Sequence, residues 1–302
     1  MATPRFIYRP DYYCDVGDHV FRTEKYELLY ECLVGDGIVS PEDFLEPEPA
    51  TRPQLERVHT PEYIDDLMSY QHTARTLTSE MPLSRQIVEA FRLGAGGSIL
   101  ACRTAAENHT TALNLAGGFH HAFPDKAEGF CYINDVAVGV AEVQATDLTD
   151  RVMVVDCDLH QGNGTAYIFQ GDPDVFTFSI HQENLYPLKQ KSDCDVGLMN
   201  FCTGDKYMAN LEKHLLPALD KHRPDLVLYV AGADPYEKDQ LGMLLLSIED
   251  LRRRDDLVIG ACVERDIPVA ATLAGGYAPD VNDTARIHYG TARALADHSE
   301  NL

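Results

Sequence analysis

Short, nearly continuous apolar runs alternate along the chain with longer stretches of helical periodicity. The runs at 112–115, 152–155, 175–180, 226–230 and 269–273 predict strands, and 6–8 is a weaker one. An unbroken apolar run suits a strand covered on both faces, since a strand with one wet face alternates polar and apolar residues. Helices are predicted between them at 24–33, 61–70, 84–107, 134–144, 206–221, 248–264 and 283–296. Two helix starts place a capping residue before a proline, in Ser40-Pro41-Glu42-Asp43 and Thr60-Pro61-Glu62-Tyr63. Proline fits the first helical position because no amide donor is needed there. Within 84–107, Gly94, Gly96 and Gly97 leave two readings: a broken helix, or a helix on which another backbone packs closely. The alternation predicts an α/β fold, with a central, mostly parallel sheet flanked by helices on both faces. No repeat, low-complexity tract or long linker interrupts it, and the proline-rich, acidic stretch 41–53 reads as a surface connection. One domain is expected over 1–302.

Open parallel sheets build their sites at the carboxyl ends of the strands, and the polar motifs of this chain fall at predicted strand ends. Ala116-Gly117-Gly118-Phe119-His120-His121 follows the 112–115 run, and Asp156-Cys157-Asp158-Leu159-His160 follows 152–155. Ala231-Gly232-Ala233-Asp234 and Ala274-Gly275-Gly276-Tyr277 follow the last two runs. Side chains alternate along a strand, so Asp156, Asp158 and His160 line one face as the strand ends. An isolated Asp-x-His after a core strand is usually a polar loop; four such ends converging on one rim change that reading. Asp158, His160 and Asp234 then form a three-residue oxygen and nitrogen donor set, the number a catalytic zinc site takes while keeping a position open. The His120-His121 pair offers acid–base groups near neutral pH. The Tyr277 hydroxyl can donate to a developing oxyanion. Such a set suits hydrolysis of an amide by metal-activated water.

Composition narrows the surroundings of this chemistry. With 25 Lys+Arg against 48 Asp+Glu, the net charge is −23 across 302 residues. Such a surface repels phosphate backbones and excludes direct nucleic-acid binding as the default. It would attract cationic partners, although acidity for solubility alone explains the bulk charge more simply. No apolar run reaches the length of a membrane span. Residues 1–10 are mixed and carry Arg5 and Arg9, unlike a secretory signal. The 8 Cys form no C-x-x-C pair and read as reduced, mostly buried thiols of a cytoplasmic protein.

The motifs together resemble the histone deacetylase family, which includes acetylpolyamine amidohydrolases and bacterial enzymes of the class IV-like kind. They are Gly117-Gly118-Phe119-His120-His121-Ala122, Gly129-Phe130-Cys131-Tyr132-Ile133-Asn134-Asp135, the stretch Asp156 to Thr165, Ala231-Gly232-Ala233-Asp234 and Gly275-Gly276-Tyr277. Arg57-Val58-His59-Thr60-Pro61-Glu62-Tyr63 is similar to the family's N-terminal segment, so the likeness is collinear over nearly the whole chain. The resemblance implies the arginase/deacetylase fold and hydrolysis of an acyl-lysine side-chain amide in a protein or peptide. A small acetylated amine such as an acetylpolyamine is the alternative substrate. A catalytically silent module that binds acyl-lysine is an alternative of another class. In the family-derived assignment Asp158, His160 and Asp234 hold Zn2+, with Fe2+ as the alternative, and His121 is the general base. His120 is its electrostatic partner, hydrogen-bonded to Asp156, and Tyr277 polarises the carbonyl. Gly129, Phe130 and Gly275 belong to the substrate channel, and a structural K+ lies near Asp156, Asp158, His160, Ser179 and Ile180.

One departure bears on proton chemistry. Many family members carry Asp behind the second histidine, where this chain has Asn163. A carboxylate favours imidazolium and a neutral amide does not. His120, backed by Asp156, is thereby biased to the cation, and His121, backed by Asn163, to the neutral base. Equally, Asn163 could cap a helix starting near Gly164. The remaining histidines, His288 among them, read as satisfied surface or core residues, while His59 and His181 read as ordering local structure. Tyr186 is a candidate rim aromatic, and Arg252-Arg253-Arg254 followed by Asp255-Asp256 reads as a solvated helix face.

Overall fold

A computed structural model of the chain describes residues 4–299 and 301–302. Residues 1–3 of the mixed N-terminal segment, and Glu300, lie outside the described residues. The strands are β1 (Arg5–Ile7), β2 (Thr111–Asn114), β3 (Val152–Asp156), β4 (Val175–Gln182), β5 (Cys194–Leu198), β6 (Leu226–Val230) and β7 (Val269–Thr272). They form one sheet in the order β1-β2-β7-β6-β3-β4-β5, with every pairing parallel. The helices are α1 (Glu24–Gly35), α2 (Arg52–Leu55), α3 (Pro61–Met68), α4 (Arg85–Asn108) and α5 (Asp135–Ala145). They continue with α6 (Asn163–Ile168), α7 (Gly204–His222), α8 (Ile248–Val263) and α9 (Val281–Ser299). The fold is the single α/β domain expected.

Alternation along the central strands divides the core in two. Val152, Val154, Leu228 and Val230 pack with Cys102 and Ala105 of α4 and Val136 and Val140 of α5. Met153, Val155, Val227 and Tyr229 pack in the larger cluster that includes Leu211 and Leu215 of α7 and Val258 of α8. Burying both faces is what made these runs read as strands. β5 escaped that reading because it is the sheet edge: Asp195 and Gly197 are exposed while Val196 and Leu198 are buried, so no apolar run marks it.

Three local expectations resolve differently. α4 is continuous across its glycines, and the close-packing alternative holds: a Cβ on Gly96 would lie 1.8 Å from the Glu48 carbonyl oxygen. Ser40 makes no side-chain cap, and only a single 3-10 turn follows it, whereas Thr60 accepts from the Tyr63 amide at 3.3 Å and α3 forms. The arginine run is not a solvated face throughout, because Arg254 and Asp255 are fully buried.

That buried pair ties the sheet to the rim. Arg254 Nε donates to Asp255 Oδ1 at 2.9 Å, and its Nη1 donates to the carbonyls of Cys157 at 3.2 Å and Gly232 at 2.5 Å. These carbonyls belong to the turns that carry Asp158 and Asp234. Tyr229 and Thr291 hydroxyls donate to the Asp255 carboxylate. Removing one partner of a buried ion pair strands the other charge, so Arg254→Met is expected to cost about 3–5 kcal/mol of stability. Chemical denaturation measures it; a loss below about 1 kcal/mol would show that the clamp is dispensable.

Candidate active site

The carboxyl ends of β2, β3, β6 and β7 bring four sequence-distant motifs to one rim. Asp158, His160 and Asp234 are buried, and one ligand atom from each lies within 4.8 Å of the others. His160 Nδ1 is 3.2 Å from Asp158 Oδ1 and 3.1 Å from Asp234 Oδ2. Backbone amides hold the carboxylates from behind: Leu159 donates to Asp234 Oδ1 and Gly275 to Asp158 Oδ2, both at 2.9 Å. Burial, reinforced by the Asp158 charge, pushes Asp234 up to about 7. Two carboxylates and an imidazole enclosed this closely fit a divalent cation, whose charge would relieve that repulsion.

The histidine pair stands beside this set. Asn134 at the N-cap of α5 donates to the carbonyls of His120 and Ala122, at 3.2 and 3.0 Å, and Asp135 accepts from the amides of Gly118 and Phe119. His120 Nδ1 lies 2.7 Å from Asp156 Oδ2, and His121 Nδ1 lies 2.8 Å from Asn163 Oδ1. The two Nε2 atoms are 3.1 Å apart. Burial alone would depress His120, but the Asp156 and Asp158 carboxylates outweigh it and raise it to about 9. At His121 the Asn163 hydrogen bond and the Asp158 charge pull upward but do not compensate: burial, then the charges of His120 and His160, push it well below the ordinary range. The opposite directions are those expected for the pair, but the lowering of His121 comes from burial and its neighbours' charges, while the Asn163 hydrogen bond itself pulls it upward. Asn163 does not cap α6; Gly162 holds that position, and the Asn163 side chain faces His121 and, through Nδ2, Glu128 Oε1 at 2.7 Å.

A cavity of about 240 Å³ opens beside these groups, lined by Glu80, Phe130, Leu185, Tyr186 and Leu241 together with Gly129, His121, His160 and Tyr277. Phe130 meets the Tyr277 ring edge-on at 5.8 Å, and Tyr186 meets His121 likewise at 5.4 Å. Gly129 must be glycine: its φ is +52°, and a Cβ would sit 2.7 Å from His121 Cδ2. Gly275 is not part of this lining; it packs against the carboxylates, where a Cβ would lie 2.3 Å from Asp234 Oδ2. Burial, aided by the Asp234 and Asp158 charges, raises Tyr277 well above the ordinary phenol range, so its hydroxyl stays protonated.

The β3–β4 register sets Asp156 beside Ser179, with Ile180 next along β4. Ser179 Oγ and His181 Nδ1 are 2.9 Å apart, so His181 orders the strand end rather than the rim. His59 bridges the Phe123 carbonyl and the Asn134 amide, a local ordering role. His288 is buried as a core residue, but neither ring nitrogen has a hydrogen-bond partner among the described residues, contrary to the satisfied histidine expected.

Several residues at the site carried no local signal. Asp239 accepts the Tyr277 amide at 2.7 Å and Gln240 donates to the Tyr277 carbonyl at 2.6 Å, together fixing the tyrosine. Lys25 of α1 is fully buried and donates to the Ala274 carbonyl at 2.7 Å. Burial lowers it to about 8 against the opposing pull of Asp234, Asp158 and Asp239. Glu128 is invisible for the same reason: its partner Asn163 is remote in sequence.

Comparison with known proteins bears on the family and the fold. The model of the histone deacetylase domain matches residues 19–292. An uncharacterized protein of Picosynechococcus sp. is 40% identical over 299 residues, covering 96% of this chain and 98% of that protein. Histone deacetylase 2 of Arabidopsis thaliana is 31% identical over 296 residues, covering 94% of this chain and 73% of its own. The crystal structure of an HDAC homolog from Aquifex aeolicus superposes with a TM-score of 0.87 at 24% identity, covering 98% of this chain and 84% of that one, and shares its fold. With the domain match spanning most of the chain and its motifs gathered on one rim, the chain belongs to the histone deacetylase family of hydrolases.

Proposed function

We propose that the chain hydrolyses the side-chain amide of acyl-lysine in a protein or peptide, with Asp158, His160 and Asp234 holding zinc, or ferrous iron in its place. The observation that carries this reading is the buried Asp-His-Asp set, whose His160 lines a cavity that also presents His121 and Tyr277. When bound, the cation supplies Lewis acidity to the acyl carbonyl and makes a water molecule more acidic. The protein does the rest. Phe130, Leu185, Tyr186 and Leu241 enclose an apolar stem and exclude water from the reacting amide. The protonated Tyr277 hydroxyl donates to the carbonyl oxygen as it gains charge. Neutral His121 accepts the proton of the attacking water at Nε2 and returns it to the amine nitrogen as the C–N bond breaks. His120, cationic against Asp156, stabilises the negative charge that develops beside it. A structural potassium near Asp156, Asp158, His160, Ser179 and Ile180 belongs to the same proposal, supported by the β3–β4 register.

A second substrate reading has one observation in its favour: the exposed Glu80 carboxylate lines the cavity, where it can pair with the ammonium of an acetylpolyamine. The test is a screen of acyl-lysine peptides of increasing acyl length alongside acetylpolyamines, with metal content measured on the same protein. Amine release from the peptides is expected to exceed that from the polyamines. The reverse order selects the small-amine reading, and a metal-loaded protein inert on every acyl amide overturns hydrolysis in favour of acyl-lysine binding.

A further inference from the structure

We propose that Glu128 is a positioning residue that sets the tautomer of His121 through the Asn163 amide; the proposal rests on reading His121 as the proton-transfer base. A primary amide has an accepting end and a donating end, and swapping them changes its shape very little. Either end can bond His121 Nδ1, with opposite consequences. A carbonyl oxygen there requires Nδ1–H and leaves Nε2 bare, whereas an NH2 there requires a bare Nδ1 and puts the single proton on Nε2. Only the first leaves a lone pair on Nε2, the nitrogen that lies 3.1 Å from His120 Nε2 on a ring that lines the cavity.

The cationic His120, whose Nε2 lies 3.1 Å from His121 Nε2, favours a bare Nε2 from one side, but Asn163 alone has no means of matching it at Nδ1. Its far end supplies the match: Nδ2 donates to Glu128 Oε1 at 2.7 Å while Oδ1 faces His121 Nδ1 at 2.8 Å. An ionised carboxylate only accepts, so Glu128 takes the NH2 end and leaves Oδ1 for the histidine. Glu128 is itself held, with its Oε2 paired to Lys126 Nζ and its side chain only 16% exposed. The pairing also explains why a neutral residue at 163 is workable here. An aspartate would accept from Nδ1 in either orientation and would need no partner; an asparagine needs an acceptor behind it.

The test reads the ring directly. In zinc-supplied protein labelled with 15N-histidine, two-bond 1H–15N correlations report which nitrogen carries the proton. Wild type is expected to show His121 as Nδ1–H alone. Glu128→Ala, and more mildly Glu128→Gln, should give a mixture with Nε2–H and lower kcat about tenfold or more, with KM within about twofold. Adding Asn163→Asp to Glu128→Ala should restore both the Nδ1–H signal and most of kcat, because a carboxylate cannot present a donor. An unchanged His121 tautomer in Glu128→Ala, or a loss of kcat that Asn163→Asp does not recover, overturns the proposal and marks Glu128 as merely structural. The ring measurement needs no turnover. A wild-type protein inert on acyl amides would therefore sink the hydrolytic reading while leaving the tautomer result to stand or fall by itself.

Discussion

Replacing Asp234 with alanine is expected to remove both hydrolysis and bound metal. Asp234 is fully buried, and its two oxygens have separate tasks: Oδ2 lies 3.1 Å from His160 Nδ1, while Oδ1 accepts the Leu159 amide. The substitution deletes one of the three proposed ligands and frees the turn that carries the other two. A three-ligand site reduced to two loses most of its affinity, since the remaining donors must supply the rest of the coordination from solvent. Elemental analysis of the purified protein should fall from about one metal per chain to near zero. Added zinc should raise the thermal midpoint of wild type but not of the variant, because only a folded state that binds the ion gains from it. Near-stoichiometric metal in Asp234→Ala, with activity retained, would show that the ion is held elsewhere.

The second large effect separates metal from proton chemistry. His121→Ala is expected to lower kcat by about 10²–10⁴, and Tyr277→Phe by about 10²–10³, each with metal content unchanged. Neither side chain belongs to the Asp-His-Asp set, and in the proposed mechanism each acts on charge that develops only in the transition state. Losses should therefore appear in kcat and kcat/KM alike rather than in KM alone. Tyr277→Phe is the cleaner probe, since it keeps the ring against Phe130 and deletes a single hydroxyl. Near-normal rates in both variants would sink the mechanism.

Much of this arrangement was legible because the chemistry is concentrated at strand ends. Asp158 and His160 follow β3 within a few positions, and Asp234 and Tyr277 follow β6 and β7 in the same way. The strands were readable because β3, β6 and β7 are buried on both faces and lack polar interruptions. β5 was not, since one of its faces meets solvent. Arg254 shows the limit of reading charge from composition. Three consecutive arginines point in different directions around a helix, and Arg253 is exposed while Arg254 enters the core. No local pattern distinguishes them, because the acceptors that make burial tolerable are carbonyls of Cys157 and Gly232.

Sequence by itself determined the fold class, the family likeness and the identity of the residues at the rim, because period, turn chemistry and motif order are local properties. Only the tertiary structure decided how those residues are tuned. Gly275 moved from an expected channel wall to a place against the carboxylates, and Asn163 moved from an optional helix cap to a bridge between His121 and Glu128. Lys25 and Asp239 joined the site from elements that carry no motif. Hydrogen-bond direction and charge balance depend on partners far apart in the chain. Their effect falls off over a few ångströms of space, and a distance of that kind exists only once the sheet has brought its strand ends together.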